Sequence, residues 1–167
     1  MSKIDVKDLK NIYKETKYLD ELFHKQNDIR SKEIIEKNIL ELLVELGELA
    51  NETRCFKYWS VKKPSEKDII LGEYIDCLFM TLYFSNITDL SLDEEFPKAN
   101  NKELVEAFID LYKRASLLQD ELNKDKIKKI LVDILYLGSL LDFNKEDLEK
   151  GTMNKSYIIQ KRFKENY

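Results

Sequence analysis

Glycine and proline are scarce in this sequence, with four Gly and two Pro among 167 residues. Sandwiches and barrels need turn residues at short intervals, so this scarcity argues against them and favours long helices. The hydrophobic fraction of 43% is enough to form a core in a chain of single-domain size. We therefore expect an all-α fold, a multi-helix bundle in which residues 1–167 form one domain.

Charge and cysteine content indicate which kinds of binding partner and which cellular compartment to expect. The chain has 28 Lys and Arg against 32 Asp and Glu, so it lacks the basic excess of a nucleic-acid-binding surface. Cys55 and Cys77 are too few for a disulfide framework and do not form a CxxC pair, and the N-terminus has no apolar signal-peptide core. We expect a cytoplasmic protein that binds neither a nucleic-acid polymer nor a membrane.

Apolar residues recur at helical spacing along the whole chain. Ser31, Ser65 and Asn144 have the residue types and positions of helix N-caps. Residues 85–101 contain turn-forming residues and Pro97, which predict a loop. The predicted helices run from about Leu9 to Phe23, Ser31 to Phe56, Ser65 to Phe84, Lys102 to Asn123, Asp125 to Phe143, and Asn144 to the C-terminus.

The second predicted helix has a stripe of acids beside its apolar face. A rotation of about 100° per residue places four glutamates within an arc of roughly 60°, and no basic residue lies between the first and the last of them. An exposed helix face usually alternates acids with cations three or four residues away. By itself the stripe fits either an exposed acidic face or a cation site. Its members are Glu41, Glu45, Glu48 and Glu52.

The third predicted helix is apolar nearly all round, and Glu73 and Asp76 are the charged residues between Ile69 and Thr88. A buried carboxylate costs several kcal/mol unless it is protonated, paired or bound to a metal. The alternatives for this pair are an ion pair with a lysine from elsewhere, or a membrane span that contains two acids. One such segment in an otherwise polar chain argues against the span.

Two carboxylate pairs on neighbouring helices, Glu45 with Glu48 and Glu73 with Asp76, would bring four oxygen ligands to one place. Oxygen ligands of this kind suit Mg²⁺ or Mn²⁺. A single histidine, His24, cannot build a zinc site or a histidine-based triad. We therefore predict a divalent-cation site between antiparallel helices.

The connector between the two acidic helices contains Lys57, Trp59, Lys62 and Lys63. Lysine can hold phosphate oxygens, and an aromatic ring can pack against a nucleotide base. The alternative is an ordinary solvated loop with Trp59 packed into the core.

These residues together resemble a known pattern. The run ELLVELGELANETRCFKYWS followed by EYIDCL, within residues 41–78, is similar to the dimeric all-α dUTPases, whose superfamily includes the MazG-type pyrophosphohydrolases. Glu45 and Glu48 match the ExxE motif of that family, and Glu73 and Asp76 match its ExxD motif. The run between the motifs matches at Asn51, Glu52, Phe56, Lys57, Trp59 and Ser60.

The resemblance implies an all-α NTP pyrophosphohydrolase fold, a homodimer, and Mg²⁺ bridging a triphosphate. It also implies that water attacks the α-phosphorus and that a nucleoside monophosphate and pyrophosphate are released. A carboxylate facing the water can accept its proton. Glu48 or Glu45 is the expected base, and Asn51, Glu52, Lys57 and Trp59 are expected to bind substrate.

The resemblance is looser outside this region. Thr16 stands where the family usually has a Gln near the nucleoside, and Phe79 stands where it usually has a His. The basic C-terminal pattern of the family is partly matched by Asn154, Lys161, Arg162 and Tyr167. We expect hydrolysis of dUTP to dUMP. The alternatives are a pyrophosphohydrolase for another nucleoside triphosphate and, in a different class, a non-catalytic helical interaction module.

Overall fold

The computed structural model describes residues 4–165. Over this range the chain is helical and contains no strand, which confirms the predicted all-α bundle. Two short 3-10 helices lie at Val6–Leu9 and Leu117–Gln119. The α-helices are α1 (Lys10–His24), α2 (Lys32–Thr53), α3 (Lys67–Ile87), α4 (Leu104–Ser116), α5 (Lys124–Leu140) and α6 (Lys145–Lys164).

Two of the three predicted N-caps are confirmed, and one is wrong. The Ser31 hydroxyl accepts a hydrogen bond from the Ile34 N–H at 3.3 Å, and Asn144 forms a capping box with Asp147. α3 instead begins after Glu66, without a side-chain cap. Ser65 misses this role because its hydroxyl donates to the Glu52 carboxylate, while its N–H donates to the Glu52 carbonyl at 3.0 Å.

Several predicted helix ends are also displaced. α2 stops at Thr53 rather than near Phe56, since Arg54 takes a left-handed conformation. α3 continues past Phe84 to Ile87. The predicted fourth helix is interrupted after Ser116, where a 3-10 turn keeps Leu118 buried. The 3-10 turn ends the α-helix and keeps the Leu118 side chain in the core.

The bundle is built around α3, which packs against α1, α2, α5 and α6. Its residues Tyr74, Leu78, Leu82 and Phe84 are completely buried. A helix that is apolar all round needs partners on every side, and this position supplies them. Apart from Leu19, the buried apolar residues form one cluster, from Ile4 to Leu148. Within residues 4–165, no helix has both the length and the hydrophobicity needed to cross a membrane.

Candidate metal centre

Acidic side chains from α2 and α3 meet along the interface of these two helices. Glu45 lies on α2, and Glu73 and Asp76 lie one turn apart on α3. Each contributes one carboxylate oxygen to a group whose atoms all lie within 4.8 Å of one another. Three of the four predicted metal ligands are therefore brought together by the packing of α2 on α3.

The environment of this cluster disfavours the ionised carboxylates. Burial, together with the charges of Asp76 and Glu48, raises the pKa of Glu45 to about 7. The pKa values of Glu73 and Asp76 are also raised, chiefly by burial. Glu45 Oε2 is buried and has no hydrogen-bond partner among residues 4–165. A bound cation would relieve this repulsion and give the unpartnered oxygen a ligand role.

Glu48, the fourth predicted ligand, has an exposed side chain and is not in the 4.8 Å group. It is nevertheless near the cluster, because its charge raises the pKa of Glu45, Glu73 and Asp76. This carboxylate lies at the solvent side of the site.

Lys155 on α6 is the functional candidate that sequence reasoning missed. Its ammonium forms an ion pair with Asp76 Oδ1, and its charge lowers the pKa of Glu45 and Glu73. This is the lysine from elsewhere that was one alternative for the acids of α3. Burial keeps the pKa of Asp76 raised despite this contact, and the charge of Glu48 adds to the effect.

A glycine on α6 explains how Lys155 reaches the acids. A Cβ built on Gly151 would lie 2.6 Å from Ile75 Cγ1, so only glycine allows this approach of α6 to α3. Lys155 follows one turn later on the same face of α6, and Asp76 follows Ile75. The signal in the sequence was the spacing of Leu148, Gly151 and Lys155, which places a cation on the core-facing side of α6.

The connector between α2 and α3 lies at the surface. Trp59 is 65% exposed, which excludes the alternative that it packs into the core. Lys57 Nζ donates to Asn51 Oδ1 and also lies 5.6 Å from the Phe56 ring centroid. Glu52 accepts the Ser65 hydroxyl and so ties the end of the connector to α2. The substrate-binding roles of these residues stay predictions.

Thr16 and Phe79 occupy different environments. Thr16 is only 3% exposed, and its hydroxyl donates to the Tyr13 carbonyl of the same helix at 3.0 Å. Phe79 is partly buried against the core and follows Asp76 by one helical turn on α3. Phe79 thus lies one helical turn from Asp76 in the sequence, whereas the Thr16 hydroxyl already has a hydrogen-bond partner within α1.

The predicted C-terminal residues separate into two groups. The charge of Arg162 lowers the pKa of Asp76, which places this guanidinium near the acids. Lys161 instead lines a groove of about 720 Å³ between α1 and α6. Asn154 is exposed on α6, and Tyr167 lies outside the described residues.

Comparison with known proteins gives one family. A family model described as dUTPase matches residues 8–167, nearly the whole chain. No curated protein and no solved structure gives a significant match. The family match confirms the resemblance indicated by the two acidic motifs and by the run between them. The chain therefore belongs to the all-α dUTPase family of nucleotide pyrophosphohydrolases.

Proposed function

We propose that this protein hydrolyses dUTP to dUMP and pyrophosphate with Mg²⁺, or Mn²⁺, as cofactor. The observation that carries the proposal is the convergence of Glu45, Glu73 and Asp76 oxygens within 4.8 Å, in a chain that belongs to the dUTPase family. Oxygen ligands in this number and charge fit a hard divalent cation.

The cation would be held by Glu45, Glu73 and Asp76, with Glu48 beside them. The unpartnered Glu45 Oε2 and the raised pKa values of the cluster support this assignment. When bound, the metal ion supplies positive charge that offsets the negative charge of the triphosphate oxygens.

The reaction breaks the bond between the α-phosphorus and the oxygen that bridges to the β-phosphate. Water supplies the new oxygen on phosphorus, and its proton passes to a carboxylate. Glu48 is the better placed of the two candidate bases, because its carboxylate is exposed and lies outside the group of three ligand atoms. Glu45 is the alternative.

Cationic and aromatic side chains of α6 and of the connector would bind the nucleotide. Lys155 and Arg162 place positive charge beside Asp76, where they can hold phosphate oxygens. The exposed ring of Trp59 can pack against the base. Lys57 is tied to Asn51 at the end of α2, from where it can reach a phosphate.

A panel of nucleoside triphosphates, assayed for pyrophosphate release with Mg²⁺ and with EDTA, tests the proposal. We expect the fastest release from dUTP and none with EDTA. Preference for another triphosphate would support the broader pyrophosphohydrolase alternative, and no release from any of them would support the non-catalytic module. Glu48→Gln should abolish release, whereas Glu36→Gln, in a surface pair with Lys32 on the same helix, should leave it unchanged.

We also infer a homodimer. Leu40 and Val44 are exposed one turn apart on α2, and Val105 and Ile109 are exposed one turn apart on α4, which packs beside α2. Exposed apolar side chains on adjacent helices are typical of an interface with a second copy. Light scattering at micromolar concentration should give a dimer mass, and Ile109→Lys should shift the mass towards monomer. A monomer mass for the parent protein would contradict this inference.

A further inference from the structure

Arg54 lies at the point where the chain leaves α2 and enters the connector that contains Trp59. Its backbone is left-handed, with φ 58° and ψ 15°, and its N–H donates to the carbonyls of Ala50 and Asn51. Residues other than glycine adopt this conformation at a cost in free energy. Hydrogen bonds of the Arg54 side chain can offset this cost.

The Arg54 guanidinium makes these contacts across the connector. Nε donates to the Lys62 carbonyl at 3.2 Å, and Nη2 donates to the Ser60 hydroxyl. The same hydroxyl accepts the Lys62 N–H at 3.3 Å. The three residues form a closed ring of hydrogen bonds that joins the start of the connector to residue 62. Hydrogen bonds from a charged donor are stronger than those between neutral groups.

Trp59 lies inside this closed segment, which is also stabilised by backbone hydrogen bonds from the Lys57 N–H to the Arg54 carbonyl and from the Ser60 N–H to the Lys57 carbonyl, both 3.0 Å. Its ring contacts Phe56 at 6.1 Å and Tyr58 at 5.2 Å between centroids, but Tyr58 is itself 94% exposed. Val61 on the other side is fully exposed. Since the core does not hold the indole, its position depends on the hydrogen bonds of the connector.

We propose that Arg54 is a positioning residue that holds the connector closed and thereby fixes Trp59 relative to α2. That helix also carries Glu45 and Glu48, so Arg54 sets the distance between the base-binding ring and the acids. The link to nucleotide binding rests on the proposed function. The mechanical role of Arg54 does not, and it can be measured separately.

The separate measurement uses Trp59, the single tryptophan of the chain. Arg54→Gly removes the guanidinium but keeps the left-handed backbone without strain. Time-resolved fluorescence anisotropy should show a larger fast component in Arg54→Gly and in Ser60→Ala, with unchanged helicity. Arg30→Ala is the matched control, because Arg30 Nη1 also donates to a helix-end carbonyl, that of Ile87 at 2.7 Å, in another part of the fold. An anisotropy decay for Arg54→Gly that matches the parent would overturn the proposal.

The kinetic measurement connects this role to substrate. Arg54→Gly should raise KM for dUTP about tenfold, equivalent to about 1.4 kcal/mol, with kcat within about twofold of the parent, because the acids keep their places on the helices. Arg54→Lys, which retains the charge, should restore part of the loss. A fall in kcat at unchanged KM would contradict the proposal. Absence of hydrolysis by the parent protein would refute the proposed function, while the anisotropy result would still decide the role of Arg54.

Discussion

Two aspartates of this molecule each contact a lysine, yet their pKa values are shifted in opposite directions. Asp110 on α4 pairs with Lys102, and this contact holds the pKa of Asp110 below its usual value. Asp76 on α3 pairs with Lys155, but burial raises its pKa despite the lysine.

The surroundings of the two pairs explain the difference. Asp110 is near the surface, and the charges of Arg114 and Lys113 also lower its pKa. Asp76 is 18% exposed, and the charge of Glu48 adds to the effect of burial. The Asp110 pair is charge-balanced and links α4 to the segment that precedes it. The Asp76 pair belongs to a cluster with excess negative charge, which is the property expected of a cation site.

The largest effect should come from Asp76→Asn, which removes one negative charge from the acidic cluster. Pyrophosphate release should fall at least about 100-fold, because loss of a metal ligand should exceed the 10- to 100-fold effect of outer-shell changes. Since the raised pKa means that ionised Asp76 costs stability at neutral pH, the variant in EDTA should melt at the parent temperature or up to about 4 °C above it. Asp68→Asn, an exposed site on the same helix, is the control. Retained activity with a large loss of stability would make Asp76 a structural residue.

Asp20 is a carboxylate whose pKa is raised by burial without a contribution from neighbouring acids. Burial raises the pKa of Asp20 to about 6, against the opposing effects of Asn86, which donates to it at 2.8 Å, and Arg30. A raised folded-state pKa means that stability falls as pH rises from about 4 to about 6, by up to about 3 kcal/mol. Asp20→Asn should remove this slope in urea denaturation measured at several pH values. Parallel pH profiles of parent and variant would show that burial of Asp20 has no such effect.

Asp110→Asn should act with the opposite sign to Asp76→Asn. The variant leaves Lys102, whose side chain is 8% exposed, without its partner, so we expect a loss of about 2 kcal/mol at neutral pH. Because the pKa of Asp110 is lowered, its contribution is present at neutral pH and is lost as pH falls below about 4. Urea denaturation measures the loss, and pyrophosphate release should be unchanged. A double variant that also has Lys102→Met should recover part of the stability.

The smallest effect concerns the ion itself. Mg²⁺ at ten times its Kd should stabilise the parent protein by about 1.4 kcal/mol, through preferential binding to the folded state. The corresponding rise in Tm should be retained in Asp110→Asn and lost in Asp76→Asn. An equal rise in both variants would indicate a general salt effect rather than a site at the acids.

The helices could be predicted from the sequence because their apolar periodicity and two of their caps are local features. Ser31 and Asn144 act on neighbouring backbone groups, so their roles are visible in short segments. Ser65 could not be assigned in this way, since the carboxylate that binds its hydroxyl belongs to Glu52, 13 residues earlier. The left-handed Arg54 was equally hidden, because that conformation is more usual for glycine.

The acids of the site could be found from the sequence because uncompensated charge on an apolar helix is conspicuous. Lys155 could not be found as readily, since it lies in a segment with several other basic residues and its spacing from Leu148 and Gly151 identifies it only once α6 is known to pack on α3. The family resemblance pointed to Lys161 and Arg162 instead. Lys161 lines the groove between α1 and α6, whereas the charge of Arg162 lowers the pKa of Asp76. The rotation of a basic helix about its own axis determines which of its lysines faces the acids.

The electrostatic environment of the acids depends on the absence of a side chain at Gly151. With glycine, α6 lies close enough to α3 for an ammonium to remain at Asp76 as a resident counter-ion. A methyl group at this position would have to displace Ile75 or the helix axis, and the ammonium would move outward with the helix. The carboxylates would then retain more of their mutual repulsion in the metal-free protein and attract an incoming cation more strongly. The separation of the α3 and α6 axes, together with the ligands themselves, thus sets the balance between the stability of the metal-free protein and its affinity for a cation.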